Sequence, residues 1–424
     1  MTGQRDVVPG RDTPNPAVVL GMFETGLAVG RSLGRAGVRV KGLDTKKKAG
    51  FYSRYIDASI CPNPLEEEER FIAFLMNLAA EQKTPPVLFI TSDEYLLPVS
   101  RHRKELERYC LMNIPDPGLL ECITDKFKQY RLAEDAGIPV PRTMIASDMG
   151  QLSAVTDRIP FPVFIKGAEV TSWRKKMGVA FKGFVAGNEE ELRSTSKAIF
   201  EQGESGLIQE IIPGPDTSHY KVSCYVSRNG EVCLAFGLRK IRQQPVGFGF
   251  GCLVQSIHYP ELLDLGRSLF TRIGYRGVGS AEFKLDQRDG KFKLIELNPR
   301  YWQQNALAEK CGMNFPLFEY RELTGGEPRG SQEYRSGIKW VNIFSDIESF
   351  REIRKRGRFS IMQWATSLKG EKVYSVLARD DVLPGLHDIF LENLLRRARD
   401  YGRKLMHSRR QGGRPFPGMP KRFS

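Results

Sequence analysis

Residues 278–302, with the sequence VGSAEFKLDQRDGKFKLIELNPRYW, predict two short antiparallel strands joined by a turn at Arg-Asp-Gly. Side chains alternate between the two faces of a strand, which places Glu282 and Glu296 each on one face of its strand. We expect Asp286 to pair with Phe292 across a five-residue loop, so that Glu282 lies opposite Glu296. Facing carboxylates destabilise a sheet by roughly 0.2–1 kcal/mol, and a cation between them would remove that cost.

A third oxygen donor, Asn298, follows Glu296 on the same face of the second strand. Carboxylate and amide oxygens, with no His or Cys nearby, suit Mg²⁺ or Mn²⁺ better than zinc. Arg300 lies two residues further on, and its planar guanidinium favours bidentate contact with phosphate or carboxylate. These residues alone leave a second interpretation open, an exposed hairpin whose acids pair with its own lysines.

The composition is that of a soluble protein with two or three domains. Of the 424 residues, 41% are hydrophobic and 27% charged, and no apolar run approaches the ~20 residues of a membrane span. Residues 1–16 lack the apolar core of a signal peptide and are expected to be a disordered lead. The seven cysteines are scattered without a CxxC pair, which indicates reduced thiols in a cytoplasmic protein.

The net charge of +14 is concentrated at the C-terminus, because residues 396–424 hold ten Lys or Arg and one acid. No zinc finger, helix-turn-helix or aromatic RNA-binding motif accompanies it, so we expect no nucleic-acid partner. Within 386–424 a basic amphipathic helix is predicted, with apolar positions at Phe390, Leu394, Ala398, Tyr401 and Leu405. Three roles are open for it: contact with an anionic inner membrane face, docking on a partner protein, or packing on its own chain.

The N-terminal segment predicts the opening of a doubly wound α/β domain. PAVVLGMFETGLAVGRSLGRAGVRVKGLD indicates a strand, a turn at Gly21 to Gly26, a helix from Leu27 and a strand from Val38 to Leu43. PPVLFITSDE indicates another buried strand, and its polar end, Thr91 to Glu94, either binds a ligand or caps the next helix. The spacing is not GxGxxG, which argues against a nicotinamide-dependent enzyme.

The middle of the chain predicts antiparallel sheets and two notable lysines. Lys126 begins a helix, TDKFKQYRLAEDAG, that Thr124 or Asp125 caps, and Lys166 lies within the strand FPVFIKGAEV. A hairpin turned at Asn229-Gly230 follows further on. Strands grouped with helices in this way indicate α+β lobes rather than further Rossmann units.

Five motifs in order, over roughly residues 120–312, resemble those of the ATP-grasp superfamily: DK at 125–126, FPVFIKG, IQEIIPGPD, AEFKLD and IELNPR. The resemblance implies that ATP phosphates are bound by Lys126 and Lys166, and Mg²⁺ or Mn²⁺ by Glu282, Glu296 and Asn298. It also implies adenine contacts by Gln209, Glu210 and Ile212, a ribose contact by Asp216, and a catalytic role for Arg300. Such a set suits phosphoryl transfer, because cations and a metal offset the charge of the triphosphate.

The C-terminal third, from IKWVNIFSDIESF to ARDDVLP, resembles the extension of bacterial predicted ATP-dependent carboligases of the carboxylate:amine ligase type. This implies that ATP phosphorylates a small carboxylate, that an amine attacks the acylphosphate, and that ADP is released. Arg239 and Lys240 are either a second pair of cations for the carboxylate or exposed strand-end charges. Segment 171–178 has one glycine and three cations where a glycine-rich phosphate lid is expected, and Asp380-Asp381-Val382 replaces an expected Asp-Pro.

Together the patterns and the resemblance predict α/β and α+β structure: an ATP-grasp fold with an N-terminal Rossmann-like domain, two ATP-clamping lobes and a C-terminal helical extension. The predicted boundaries are 1–16 for the lead, 17–120 for the Rossmann-like domain, 121–205 and 206–330 for the lobes, and 331–424 for the extension and tail. The predicted function is an ATP-dependent carboxylate:amine ligase, and a homo-oligomer is compatible with it. A non-catalytic nucleotide-binding regulatory protein, a nicotinamide-dependent enzyme and a membrane-associated scaffold remain as alternatives.

Overall fold

The computed structural model describes residues 15–168, 183–328, 332–357, 359–388 and 422–423. The chain divides into two compact units, the first comprising Met1–Met112 and Pro316–Arg329 and the second Asn113–Phe315 and Gly330–Ser424. The boundary after the first domain therefore falls a few residues before the predicted position at 120. Pro316–Arg329, which the sequence placed in the second ATP-clamping lobe, groups with the first unit instead.

The first unit is built on a four-stranded parallel sheet. Its elements are β1 (Ala17–Leu20), α1 (Glu24–Arg35), β2 (Val40–Asp44), β3 (Asp57–Ile60), α2 (Glu68–Ala80), β4 (Val87–Ile90), α3 (Asp93–Arg101) and α4 (Arg103–Leu106). The strand order is β3-β2-β1-β4, and β1 and β4 are apolar and buried throughout, as parallel strands covered on both faces usually are. The predicted parallel α/β sheet is confirmed, although α1 begins before Leu27 and β2 begins after Val38.

A glycine is required where β1 turns towards α1. Gly21 has a φ of +89°, a left-handed conformation that favours glycine, and a Cβ there would lie 2.6 Å from Thr91 Oγ1. That hydroxyl donates to the carbonyl oxygen of Leu20 over 2.7 Å, and Ser92 is the N-cap residue of α3. Thr91 thus serves the chain's own turn, whereas the Ser92 side chain makes no capping hydrogen bond, and ligand binding by Thr91 to Glu94 stays a prediction.

The first lobe of the second unit has a five-stranded antiparallel sheet. Its elements are α5 (Pro117–Thr124), α6 (Lys126–Asp135), β5 (Thr143–Ala146), α7 (Met149–Thr156), β6 (Val163–Gly167), β7 (Gly183–Ala186), α8 (Glu189–Phe200) and β8 (Gly206–Glu210). The order is β7-β6-β8-β5, and Arg422–Phe423 pairs with the outer edge of β7. Alternation along β6 buries Val163 and Ile165 in the core beneath α7 and α8, which directs Lys166 to the opposite face.

The second lobe contributes five strands of a seven-stranded sheet. After a 3-10 turn at Asp216–Ser218, its elements are β9 (His219–Val226), β10 (Val232–Gln244), β11 (Phe250–Ile257), α9 (Pro260–Arg272), β12 (Gly277–Leu285) and β13 (Phe292–Asn298). The order β13-β12-β9-β10-β11 is antiparallel throughout, as predicted. One face packs on α9 through a core that includes Val222, Phe270 and Phe283, so the side chains that alternate with this core along the strands, including Lys221 and Glu282, lie on the other face.

The remaining elements show that the C-terminal extension is not only helical, as the sequence predicted. They are α10 (Asn305–Lys310), α11 (Phe315–Leu323), β14 (Lys339–Val341), α12 (Ile343–Lys355), α13 (Ile361–Ser367), β15 (Lys372–Tyr374) and α14 (Leu383–His387). β14 pairs with β11, and β15 pairs with β14, which completes the seven-stranded sheet. Strands of three residues are too short to give a clear alternating pattern.

Two predicted segments fall outside this description. The lid segment 171–178 lies entirely outside the described residues, and so does most of the basic tail over 386–424. Each helix in the described part of the chain is too short or too polar to cross a bilayer.

Candidate functional site

The β12–β13 hairpin places Glu282 directly opposite Glu296, as predicted. Asn298 lies one pleat further along the same strand, opposite Ser280. Because paired residues in an antiparallel ladder point to the same face, the two carboxylates and the amide share one face of the sheet.

The register near the turn differs from the prediction by one residue. Phe292 pairs with Leu285, whereas the sequence predicted pairing with Asp286. An irregularity at Ile295, an extra residue in β13, restores the predicted pairing beyond it. The two differences cancel at the acidic pair, and a bulge of this kind has no clear signal in the sequence.

Glu296 is held by the lysine that begins α6. Asp125 caps this helix, since its Oδ1 accepts from the backbone N–H groups of Phe127 and Lys128, each over 2.9 Å. Lys126 Nζ donates to Glu296 Oε1 over 2.6 Å. Burial alone would raise the pKa of Glu296, but the Lys126 ammonium outweighs it and lowers the pKa below the ordinary value. Glu296 is therefore ionised at neutral pH.

Two buried polar side chains of α6 fix this helix against β13. Gln129 donates to the carbonyl oxygen of Leu297 over 2.9 Å and accepts from its N–H over 3.1 Å. The hydroxyl of Tyr130 donates to the carbonyl oxygen of Ile295 over 2.7 Å. Sequence reasoning missed both residues, although a glutamine and a tyrosine on the buried side of a helix are a weak signal for such contacts.

Glu282 lies between two lysines. Lys221 Nζ is 3.0 Å from its Oε1, and Lys240 Nζ is 3.0 Å from its Oε2. Burial would raise the pKa of Glu282, but the two ammonium groups together lower it well below the usual range. The sequence predicted Lys240 but missed Lys221, a lone lysine in the strand HYKVSCYV on the face that bears Glu282.

Arg239 does not join Lys240, contrary to the predicted pair of cations. Consecutive residues on a strand point to opposite faces, and Arg239 pairs with Tyr220, which in turn pairs with the core residue Phe283. Its guanidinium therefore lies on the other side of β10 from Glu282, and its Nε is buried without a hydrogen-bond partner among the described residues.

Lys166 approaches the same place from β6. Burial, and then the nearby charge of Lys126, lower the pKa of Lys166 to about 8, while Glu296 opposes the shift. Lys166 has no hydrogen bond or ion pair with another described residue. A partly buried, unpaired ammonium close to a second ammonium indicates a place for an anion.

At the predicted adenine position, the side chains of Gln209 and Glu210 at the end of β8 are engaged with other residues, which leaves backbone groups of the following segment to meet a ligand. Gln209 Nε2 donates to Thr143 Oγ1 over 2.8 Å. Glu210 accepts from the N–H of Arg142 over 3.1 Å and is also bound by Arg288, which bridges it to Asp286. Ile212 is 3% exposed, and its N–H donates to no other described residue. Within the described chain, Ile212 N–H is thus an unused buried donor at the predicted adenine position.

Asp216, the predicted ribose contact, is partly exposed, and its Oδ1 accepts from Gln243 Nε2 over 2.8 Å.

His219 lies at the start of β9, opposite Lys284 and on the sheet face that bears Glu282. Burial, together with Lys240 and Lys284, lowers the pKa of His219 to about 3. Neither ring nitrogen has a partner among the described residues, so His219 is neutral and adds no charge. Sequence reasoning did not single it out.

Arg300 and Asn298 complete the predicted set. Arg300 Nη1 donates to the carbonyl oxygen of Tyr301 over 3.2 Å, and its charge adds to the lowering of the Glu296 pKa. The Asn298 side chain makes no hydrogen bond with another described residue. The described residues include no cluster of three or more His, Cys, Asp or Glu suited to a metal, so a cation here would need oxygen ligands from a bound molecule as well.

Comparison with known proteins gives one family match and several relatives. Residues 253–320 match the family described as carbamoyl-phosphate synthase L chain, ATP binding domain. The chain is 25% identical over 293 residues to the D-aspartate ligase of Enterococcus faecium, covering 65% of this chain and 68% of that protein. It is also 25% identical over 225 residues to the carbamoyl phosphate synthase large chain of Archaeoglobus fulgidus, but spans only 20% of that protein.

Among solved structures, one similar fold is N5-carboxyaminoimidazole ribonucleotide synthetase in complex with ADP. The TM-score is 0.60 at 16% sequence identity, and the match covers 81% of this chain and 85% of that one. At this level of identity the likeness concerns the fold alone.

Proposed function

Because this chain belongs to the ATP-grasp superfamily and is a ligase of that superfamily, we propose that it joins a small carboxylic acid to an amine through an acylphosphate, releasing ADP and phosphate. The resemblance drawn from its five sequence motifs is thereby confirmed. The observation that most supports the proposed reaction is the meeting of Lys126 and Lys166, from different elements, beside the facing carboxylates of Glu282 and Glu296.

The charge of this site favours a polyphosphate. Five cationic side chains surround two carboxylates, the cations being Lys126, Lys166, Lys221, Lys240 and Arg300. An excess of buried positive charge is costly unless an anion offsets it. We place the triphosphate of ATP between Lys126 and Lys166, its adenine against the unused N–H of Ile212, and its ribose at Asp216.

The oxygen donors of Glu282, Glu296 and Asn298 fit Mg²⁺, but they are not equally available to it. Both acids are ionised, as a ligand must be. Glu296 Oε2 and the side chain of Asn298 form no hydrogen bonds with described residues, whereas both oxygens of Glu282 contact lysines. We therefore assign ligation first to Glu296 and Asn298 and second to Glu282. When bound, the cation would neutralise phosphate oxygens.

In the proposed first step, a carboxylate oxygen attacks the γ-phosphorus of ATP and the bond to the β–γ bridging oxygen breaks, so that ADP leaves. Lys240 and Arg300 would hold the carboxylate in line, and such positioning can contribute ~7–11 kcal/mol. In the second step the amine attacks the acyl carbon, phosphate leaves, and the amine proton passes to solvent. Lys126, Lys166 and Arg300 would stabilise the charge that spreads over the transferring phosphoryl group.

For the carboxylate we propose an amino acid, with D-aspartate as the first to be tried. The support is the similarity to the D-aspartate ligase of Enterococcus faecium over about two thirds of each chain. L-aspartate, other amino acids and short peptides belong in the same screen.

The test is a matrix of carboxylates and amines incubated with ATP and Mg²⁺, with ADP and phosphate measured and the product weighed by mass spectrometry. We expect ADP release that requires both substrates and a product whose mass equals their sum minus water. A Glu296→Gln variant should be inactive in the same matrix. AMP and pyrophosphate release would refute the scheme, and tight ATP binding without turnover for any pair would favour the regulatory alternative.

A further inference from the structure

A buried ion pair joins the C-terminal extension to β10. Arg242 and Asp346 are 3% and 0% exposed, and they make two contacts, Nε to Oδ1 over 2.7 Å and Nη2 to Oδ2 over 3.0 Å. Trp364 Nε1 also donates to Asp346 Oδ2 over 2.8 Å, and Arg242 Nη1 donates to Ser367 Oγ over 2.6 Å. A buried pair with several hydrogen bonds of this kind gives little net stability, and its two-point contact favours a single geometry.

The next residue of β10, Gln243, contacts Asp216, the proposed ribose ligand. Gln243 is 1% exposed, its carbonyl oxygen accepts from Ser349 Oγ of α12 over 2.9 Å, and its Nε2 donates to Asp216 Oδ1 over 2.8 Å. The β10–β11 ladder is irregular on both sides of Arg242. Because bulges change the direction of neighbouring side chains, Arg242 meets the extension while Gln243 meets Asp216.

The arrangement leaves one oxygen of Asp216 for a ligand. Asp216 Oδ1 is taken by Gln243, whereas Oδ2 accepts no hydrogen bond from another described residue. Asp216 is partly exposed, and a carboxylate with a single fixed donor is oriented rather than free to rotate. Hydroxyl groups that donate to a carboxylate form the stronger, charge-assisted class of hydrogen bond.

We propose that Gln243 is a positioning residue that orients Asp216 towards the nucleotide ribose. Asp346 in turn fixes the position of Gln243, because it holds Arg242, the preceding residue of β10. This inference depends on the proposed function, since it takes Asp216 as the ribose contact. It goes further by making the C-terminal extension part of nucleotide recognition, although that extension holds none of the predicted site residues.

The test compares ATP with 2′-deoxy-ATP and 3′-deoxy-ATP by calorimetric titration, which needs neither the carboxylate nor the amine. We expect the wild-type protein to bind ATP about tenfold or more tightly than one of the deoxy analogues. In Gln243→Leu the affinity for ATP should fall to that of the analogue, whose own affinity should change little. Asp346→Asn should show the same selective loss to a smaller degree.

Ser256→Ala is the matched control, because Ser256 is buried at the β11–β14 junction and bonds the backbone of Arg335 and Ile338, away from Asp216. Ser256→Ala should lower thermal stability without changing the ratio of the affinity for ATP to the affinity for the deoxy analogue. If Gln243→Leu keeps the wild-type ratio, or weakens ATP and both analogues equally, the inference is wrong while the proposed function stands. If the wild-type protein binds none of the three nucleotides, both are wrong.

Discussion

Lys126 and Glu296 are separated by 170 residues in the sequence, and their side chains meet through a hydrogen bond of 2.6 Å from Nζ to Oε1. The contact joins the N-terminus of α6 to β13 and brings a predicted phosphate-binding lysine to a predicted metal ligand. Two residues that the sequence assigned to one site from distant motifs therefore lie in direct contact. Glu296 pairs with a lysine from another element, whereas the other interpretation open from the sequence had the acids of the hairpin paired with its own lysines.

Replacing Glu296 should stop turnover without unfolding the protein. The Glu296 side chain is 40% exposed in its ion pair, so Glu296→Ala should change stability little, whereas loss of a metal ligand should lower turnover by more than ~100-fold. Glu121→Ala is the control, since Glu121 also pairs with a lysine, Lys128, but outside the site. Steady-state rates and circular dichroism check both variants, and an active Glu296→Ala protein would remove this residue from the site.

ATP binding should weaken as the pH rises through about 8, the pKa of Lys166. The ammonium form binds phosphate, so above this pH binding must also take up a proton, and affinity should fall by up to ~10-fold per pH unit. Arginine stays charged over this range, so Lys166→Arg should show a flatter profile. Titrations from pH 6.5 to 9.5 measure the slope, and identical slopes in the two proteins would disprove the assignment.

Removing Lys221 should destabilise the fold through Glu282. The pair is buried, with side chains 9% and 16% exposed, and a buried carboxylate that loses a partner costs up to about 3 kcal/mol of unfolding free energy. Lys221→Met should therefore be less stable at neutral pH. Lys221→Met/Glu282→Gln should lose less stability than the sum of the Lys221→Met and Glu282→Gln losses, because each single substitution breaks the same ion pair, whereas Lys240 loses its partner in both variants that lack Glu282. Urea unfolding compares the variants, and additive losses in the double variant would mean that the two residues do not interact.

Gln129 should stabilise the strand that bears Glu296 and Asn298. Gln129→Leu would leave both backbone groups of Leu297 without their buried partner, at a cost of about 1–3 kcal/mol. Gln151 is a useful control, because it lies at an exposed helix start and bonds Ser147 N–H. Gln151→Leu should change the unfolding free energy by less than ~1 kcal/mol. Equal effects of the two substitutions would contradict the role of Gln129.

Local patterns were enough to predict the longer strands and a helix cap at Thr124 or Asp125, because alternation and capping depend on neighbours in sequence. The predicted facing of Glu282 and Glu296 holds only because the bulge at Ile295 cancels a one-residue error in register at the turn. The position of Arg239 could also have been deduced, since consecutive strand residues cannot share a face. What could not be predicted depends on distant partners. Lys221 and Gln243 take their roles from strands and turns elsewhere in the chain, and the bulge at Ile295 leaves no local pattern.

The most direct test of the proposed reaction follows an isotope from the carboxylate to the phosphate. The carboxylate found in the substrate screen is labelled with ¹⁸O on both oxygens and incubated with ATP, Mg²⁺ and the amine, and the phosphate is analysed by mass spectrometry. An acylphosphate requires one ¹⁸O atom in the phosphate for each amide formed, with the nucleotide unlabelled. Phosphate without the label, or label found in AMP, would contradict the proposal.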